Sequence, residues 1–305
     1  MSDIIMHCYD ASPFTQRALR MLAIKGLEWR WVETPMAPPK DDLVAMTGGY
    51  RGTPVMQIGA DVYIDSQMIA AELEHRYPET TLFPAGDEGL AMLLVQWADT
   101  FFIHAMSPIA RLLLNQYPED FQKDRAHVFS RWGIDALEGR YEAACAQLRA
   151  QGDLLNRQLM DGRLFLTGDR PGMADIQAFS VPWIMRAGLP ELASSLWQGL
   201  DMLPPWEARM AELGEGTRIP IPVAEAFAEA RSATSTCVEG VESNDPENLA
   251  VGQSVTVSSL DTRRGSISGR LVAARRNRVS VAHSHESVGD VVVHLPRLNY
   301  QVIPG

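Results

Sequence analysis

The chain has 305 residues, 46% of them hydrophobic, and a formal net charge of −11. That length predicts two domains or three, and that apolar fraction can fill real cores. No run of about 18 apolar residues appears, which argues against a membrane span. Met1-Ser2-Asp3-Ile4 lacks the basic-then-apolar order of a secretory signal. Three widely spaced cysteines, Cys8, Cys145 and Cys237, fit a reducing cytoplasm better than a disulfide framework.

An apolar run at residues 4–9 predicts a first strand. Ser12-Pro13 then opens a helical pattern that Gly26 closes. Serine is a favoured N-cap and proline the favoured first helical residue. A helix start leaves N–H groups unpaired and holds an anion, and a serine hydroxyl there can donate to a thiolate. An ordinary capped helix would read the same way. Residues 28–32 alternate like a strand, a proline-rich loop follows at 35–39, and a weak helix covers 41–46 before Gly48 and Gly49. Residues 54–58 and 62–64 flank Gly59-Ala60-Asp61 as a hairpin. Asp65 or Ser66 opens a helix with Ile69, Leu73 and Tyr77 on one face, stopped by Pro78.

Three motifs in that order, Ser12-Pro13-Phe14-x-x-Arg17, Thr53-Pro54-Val55 and Asp65-Ser66, resemble the thioredoxin-like N-terminal domain of cytosolic glutathione transferases. The resemblance covers residues 4–83 and implies an α/β domain over 1–83. The first motif looks like the Cys-Pro-Phe-x-x-Arg of omega-type members with serine for cysteine. It implies that Ser12 is the catalytic residue, activating the glutathione thiol, with Pro13 and Phe14 beside it. It also implies a cis Pro54 after Thr53, with the backbone of Val55 pairing the cysteinyl part. Asp65 would face the γ-glutamyl ammonium and Ser66 its carboxylate. Many members carry Lys or Gln near the glycyl end, where this chain has Gly52, so Arg51 is the nearest cation. Glutathione as co-substrate, a small hydrophobic electrophile, a homodimer, and no metal or membrane complete what the resemblance implies. Serine cannot form a mixed disulfide, so thiol transfer of the omega kind fits poorly.

After a linker at 84–87 the chain turns helical. Leu90, Leu93, Leu94, Trp97, Phe101 and Phe102 form one stripe. A second runs over 124–150 through Phe129, Trp132, Leu137, Tyr141 and Leu148; a third spans 172–188; Pro204-Pro205-Trp206 opens a last one. Residues 88–235 resemble the family's all-helical second domain. Its capping box keeps Asp175, read as structural, with Gly172 at the cap. The implied electrophile pocket draws on Met36, Phe101, Phe102, His104, Met106 and Arg111. His104 is a general-base candidate or simply a packed side chain.

Beyond an acidic linker at 240–248, period-two alternation predicts about five short strands over 250–305, a small barrel-like β module. That segment has seven arginines and three acidic residues, a net +4 against −15 for the remainder. Arg263-Arg264 and Arg275-Arg276-Asn277-Arg278 form a basic patch, but Tyr300 is the only aromatic and offers no stacking platform for bases. Docking on the acidic body or on a partner chain is the alternative. His283-Ser284-His285 has no further spaced ligand to complete a metal site. Two functions follow: a cytoplasmic glutathione transferase acting in detoxification, or a non-catalytic scaffold of that fold whose β module serves interaction.

Overall fold

A computed structural model of the chain describes residues 3–86, 88–130 and 139–305. Ser12 caps α1 and a left-handed Gly48 closes α2, as the local patterns require. The first domain runs β1 (Ile5–Cys8), α1 (Pro13–Ile24), β2 (Glu28–Glu33), α2 (Asp41–Thr47), β3 (Val55–Ile58), β4 (Asp61–Ile64) and α3 (Ser66–Arg76). β1 pairs parallel with β2 and antiparallel with β3, and β4 extends the hairpin, which is the thioredoxin-like arrangement.

The helical domain comprises α4 (Glu88–Leu113), α5 (Glu119–Val128), α6 (Tyr141–Leu159), α7 (Met173–Gly188), α8 (Pro190–Leu196) and α9 (Leu203–Glu212). Trp132 and Leu137 lie outside the described residues. The apolar face of α4 keeps part of the stripe expected: Phe101 and Phe102 are buried and Leu94 and Trp97 pack against the core. Leu90 and Leu93, at 52% and 69% exposed, fall off it, and Ala91, Val95, Ala98 and Ala105 join it. By length and composition alone, the segment Glu88–Gln116 is apolar enough to cross a bilayer. Asp175 is structural: it accepts from Leu166 N at 2.8 Å, Trp206 Nε1 at 2.9 Å and Gly172 N at 3.2 Å. A side chain at Gly172 would press on Leu82 O, 2.9 Å from its Cβ, which accounts for glycine at that cap.

Two elements escaped the sequence reading. β5 (Thr217–Pro220) adds parallel to β2, and α10 (Val223–Ser232) packs against β2 and β10. A two-residue β6 (Gly240–Val241) precedes the expected strands β7 (Ser254–Ser259), β8 (Ser266–Ala274), β9 (Arg278–His285), β10 (Gly289–Pro296) and β11 (Tyr300–Pro304). β9 runs through His285, so His283 and His285 sit on a strand rather than in a turn; His283 Nε2 lies 2.9 Å from Ala45 O.

The five strands do not close on themselves. β10 pairs parallel with β4, matching Val292 to Asp61, Val293 to Val62 and His294 to Tyr63. One sheet therefore runs β11-β7-β8-β9-β10-β4-β3-β1-β2-β5. A second core spans the junction, joining Leu43, Val55, Val62 and Ile64 to Phe227, Val281 and Val293. Within it lies a buried polar chain. Asp61 Oδ1 lies 3.0 Å from His294 Nε2, and His294 Nδ1 lies 2.9 Å from Ser280 Oγ. Thr236 N and Oγ1 each donate to Asp61 Oδ2 at 2.8 Å, and Ser235 donates to Oδ1.

Candidate active site

Ser12 sits at the start of α1 with its Oγ accepting from Thr15 N at 3.3 Å. Its own O–H remains to donate elsewhere. The residue is 2% exposed yet lines a cavity of about 170 Å³. Met36, Phe102, Met106, Ile109, Phe129 and Ile184 give that cavity its apolar wall. Tyr9, Lys40, Arg51 and Arg125 line its polar side.

A second hollow of about 70 Å³ adjoins it and shares Phe14, Thr53, Phe102 and Arg264. Pro54, Asp65, Ser66 and Gln67 line this one, and the Thr53–Pro54 bond is cis. Asp65 holds φ 78°, a conformation costly for a residue with a side chain. Its Oδ1 accepts from Gln67 N at 3.0 Å, capping α3, and its Oδ2 accepts from the Tyr300 hydroxyl at 3.2 Å. Burial pushes the Asp65 carboxyl above its ordinary pKa. Burial likewise raises the Tyr300 phenol, which stays a donor.

The remaining sequence candidates are dispersed. Val55 is enclosed in the second core and lines neither hollow. Arg51 is committed: its guanidinium pairs with Asp124 and donates to Arg263 O at 3.2 Å. Phe101 is buried against Trp97, with ring centroids 5.6 Å apart. His104 is half-buried and lines neither hollow; burial lowers its pKa. Arg111 is exposed, 3.4 Å from Glu142. Cys8 is fully buried, its thiol pushed up to about 12 by burial, so it offers no thiolate.

Three residues were missed. Lys40 ends the proline-rich loop, is 7% exposed, and lies 5.1 Å from the Tyr9 ring centre. Burial, assisted by the Arg125 cation, lowers its pKa to about 8. The loop itself was legible as a pocket wall, which was the available signal. Arg264 comes from the β7–β8 turn and Tyr300 from β11, where no local pattern points to a site. Arg17, in the first motif, is a domain tie: it donates to Ser180 Oγ at 3.1 Å and pairs with Asp99 at 3.1 Å.

The sequence matches the family model of the glutathione S-transferase N-terminal domain over residues 6–81 and that of the C-terminal domain over residues 138–212. Two segments of the chain are thus similar to the two domains of glutathione S-transferases. A GST-like protein from Pseudomonas syringae is 29% identical, with a TM-score of 0.82 and full coverage of both chains. Beta-etherase LigF from Sphingobium sp. strain SYK-6 is 14% identical with a TM-score of 0.57; 70% of this chain and 98% of that one are covered. A glutathione S-transferase of Ceriporiopsis subvermispora, solved in complex with glutathione, is 20% identical with a TM-score of 0.52, covering 69% and 96%. The latter two show the two-domain transferase fold. No curated protein matches the chain significantly.

Proposed function

We propose that the protein is a glutathione transferase in which Ser12 activates the thiol for attack on a small hydrophobic electrophile. The observation carrying this reading is that Ser12, the cis-Pro54 turn and Asp65-Ser66 converge on two hollows with four shared walls, one apolar and one polar. The tripeptide lies with its γ-glutamyl end in the polar hollow and its sulfur near Ser12. The Ser12 hydroxyl and the N-terminus of α1 stabilise the thiolate, drawing its pKa from about 8.5 towards neutrality. The thiol proton leaves to water. The sulfur then bonds to the electrophilic carbon held by Met36, Phe102 and Met106, and the carbon's bond to its leaving group breaks, the leaving group departing to solvent with the bonding electron pair.

At the other end Lys40 takes the glycyl carboxylate, since Arg51 is already paired with Asp124. Chain pairing as a homodimer is supported by the exposed Leu90 and Leu93 on α4. The test is direct. Calorimetry should detect glutathione binding, and Ser12→Ala should lower kcat/KM with a model electrophile more than tenfold while leaving binding and folding intact. Absence of glutathione binding sinks the reading, and full activity in the variant removes Ser12 from the chemistry.

A further inference from the structure

We propose that the C-terminal sheet builds part of the glutathione site within the same chain. Arg264 of the β7–β8 turn receives the α-carboxylate of the γ-glutamyl residue, and Tyr300 orients Asp65 towards its ammonium group. This rests on the glutathione reading above and deepens it.

Ser259, Asp261, Thr262, Arg264, Asn299 and Tyr300 all line the polar hollow, and all come from β7, β11 and their turns. The β7–β8 turn is pinned from both sides. Arg51 N donates to Arg264 O at 2.8 Å, and Arg263 N donates to Val128 O at 2.9 Å. Contact is so close that a Cβ on Gly265 would stand 2.1 Å from Gly49 O. Arg264 is thereby held with its guanidinium carbon 4.4 Å from the Phe14 ring centre, on the boundary of both hollows.

Charge completes the argument. Among the described residues, the Arg264 guanidinium forms no ion pair with a carboxylate within 4.0 Å, and the buried Tyr50 lines the same hollow. A half-buried cation that lines the same hollow as Ser66 and the start of α3, without an ion-pair partner among the described residues, suits an incoming carboxylate. Asp65 stands across the same hollow for the ammonium group, while Asp99 is already paired with Arg17. The hollow therefore offers both charges that a free amino-acid end presents. Of the basic dipeptide, Arg264 faces the hollow while Arg263 is exposed.

The test uses the full chain and two probes: S-methylglutathione, and its 4-aminobutanoyl analogue lacking only the α-carboxylate. In the wild type the analogue should bind at least tenfold more weakly. Arg264→Ala should bind S-methylglutathione at least tenfold more weakly, yet bind the analogue as the wild type does. Arg264→Lys should fall between. Circular dichroism checks folding; should Arg264→Ala not fold, Arg264→Lys and the wild-type probe pair carry the test. Equal wild-type affinity for both probes, or an Arg264 variant that keeps wild-type affinity, overturns the proposal and leaves the transferase reading standing. A wild type that binds neither glutathione nor S-methylglutathione overturns the transferase reading instead.

Discussion

Asp61→Ala tests the joint between the C-terminal sheet and the thioredoxin-like domain. The carboxylate is 2% exposed and takes hydrogen bonds from His294, Ser235 and Thr236. Alanine strands the buried His294, while the half-buried Ser235 and the exposed Thr236 can turn to water. Removing one partner of a buried ionic cluster costs about 3–5 kcal/mol, a large share of the roughly 5–15 kcal/mol that holds a domain folded. Burial alone would raise the Asp61 carboxyl, but the hydrogen bonds from His294, Ser235 and Thr236 outweigh it and bring it down to about 2. Against 3.8 in the unfolded chain, that fall is worth about 2 kcal/mol. The sign follows from the depressed folded value. The stabilisation is complete above pH 4, roughly half is gone at pH 3, and it vanishes towards pH 2. Urea denaturation of wild type and Asp61→Asn should therefore give a stability gap at pH 7 that narrows by about 1 kcal/mol at pH 3. An alanine variant within 1 kcal/mol of wild type, or a gap indifferent to pH, would refute the role assigned to this joint.

Lys40 should make affinity for S-methylglutathione, which has no thiol to titrate, fall as pH rises through about 8. Lys40→Ala should bind about tenfold or more weakly, the loss expected for a charge-assisted hydrogen bond, and Lys40→Arg should keep affinity flat across that range; calorimetry from pH 6.5 to 9 decides. Gly265→Ala forces a Cβ to 2.1 Å from Gly49 O at a residue with φ +98°, so the turn must shift; glutathione affinity should drop several-fold while the far-UV spectrum is retained, and unchanged affinity would mean the turn does not position Arg264. High salt should barely move the unfolding midpoint, because the sheet is joined by a β ladder and an apolar core rather than by the attraction of a +4 segment for a −15 body; a midpoint falling by several degrees between 0.05 and 0.5 M salt would show that exposed charges hold it.

Much of the first domain was legible because its signals are local. Ser12-Pro13 writes a helix start, Gly59-Ala60 a hairpin and Asp65-Ser66 a cap, and each stands where expected. The α4 stripe misled only at Leu90 and Leu93, because apolar residues occur all round that helix and those two look no different from Val95 in sequence. β5 is four residues of Thr-Arg-Ile-Pro without alternation; its place is set by tertiary contacts such as Thr217 N to Leu27 O at 3.0 Å. Period two identified the C-terminal strands but carries no information about which edge they join. Asp61 passed for a turn residue, and its hydrogen-bond partners lie 233 and about 175 positions away. Arg264 passed for surface charge for the same reason.

That edge explains why the tail and the site belong to one argument. A thioredoxin-like sheet ending at β4 would present unpaired N–H and C=O groups, and Val62 and Ile64 would stand near solvent. β10 satisfies the edge, and the second core covers the face. Once β10 is laid parallel to β4, the connections on the far side must pass the end of the sheet where α3 begins. There β11 delivers Tyr300 to Asp65, and the β7–β8 turn delivers Arg264 to Phe14. Protection of the edge and enclosure of the polar hollow are consequences of the same strand pairing. Ligand held there gains from residues on both sides of the joint, so binding favours the docked sheet by mass action, about 2.7 kcal/mol at one hundred times Kd. Damage at Asp61 should consequently weaken the site as well as the fold, although Asp61 lines neither hollow.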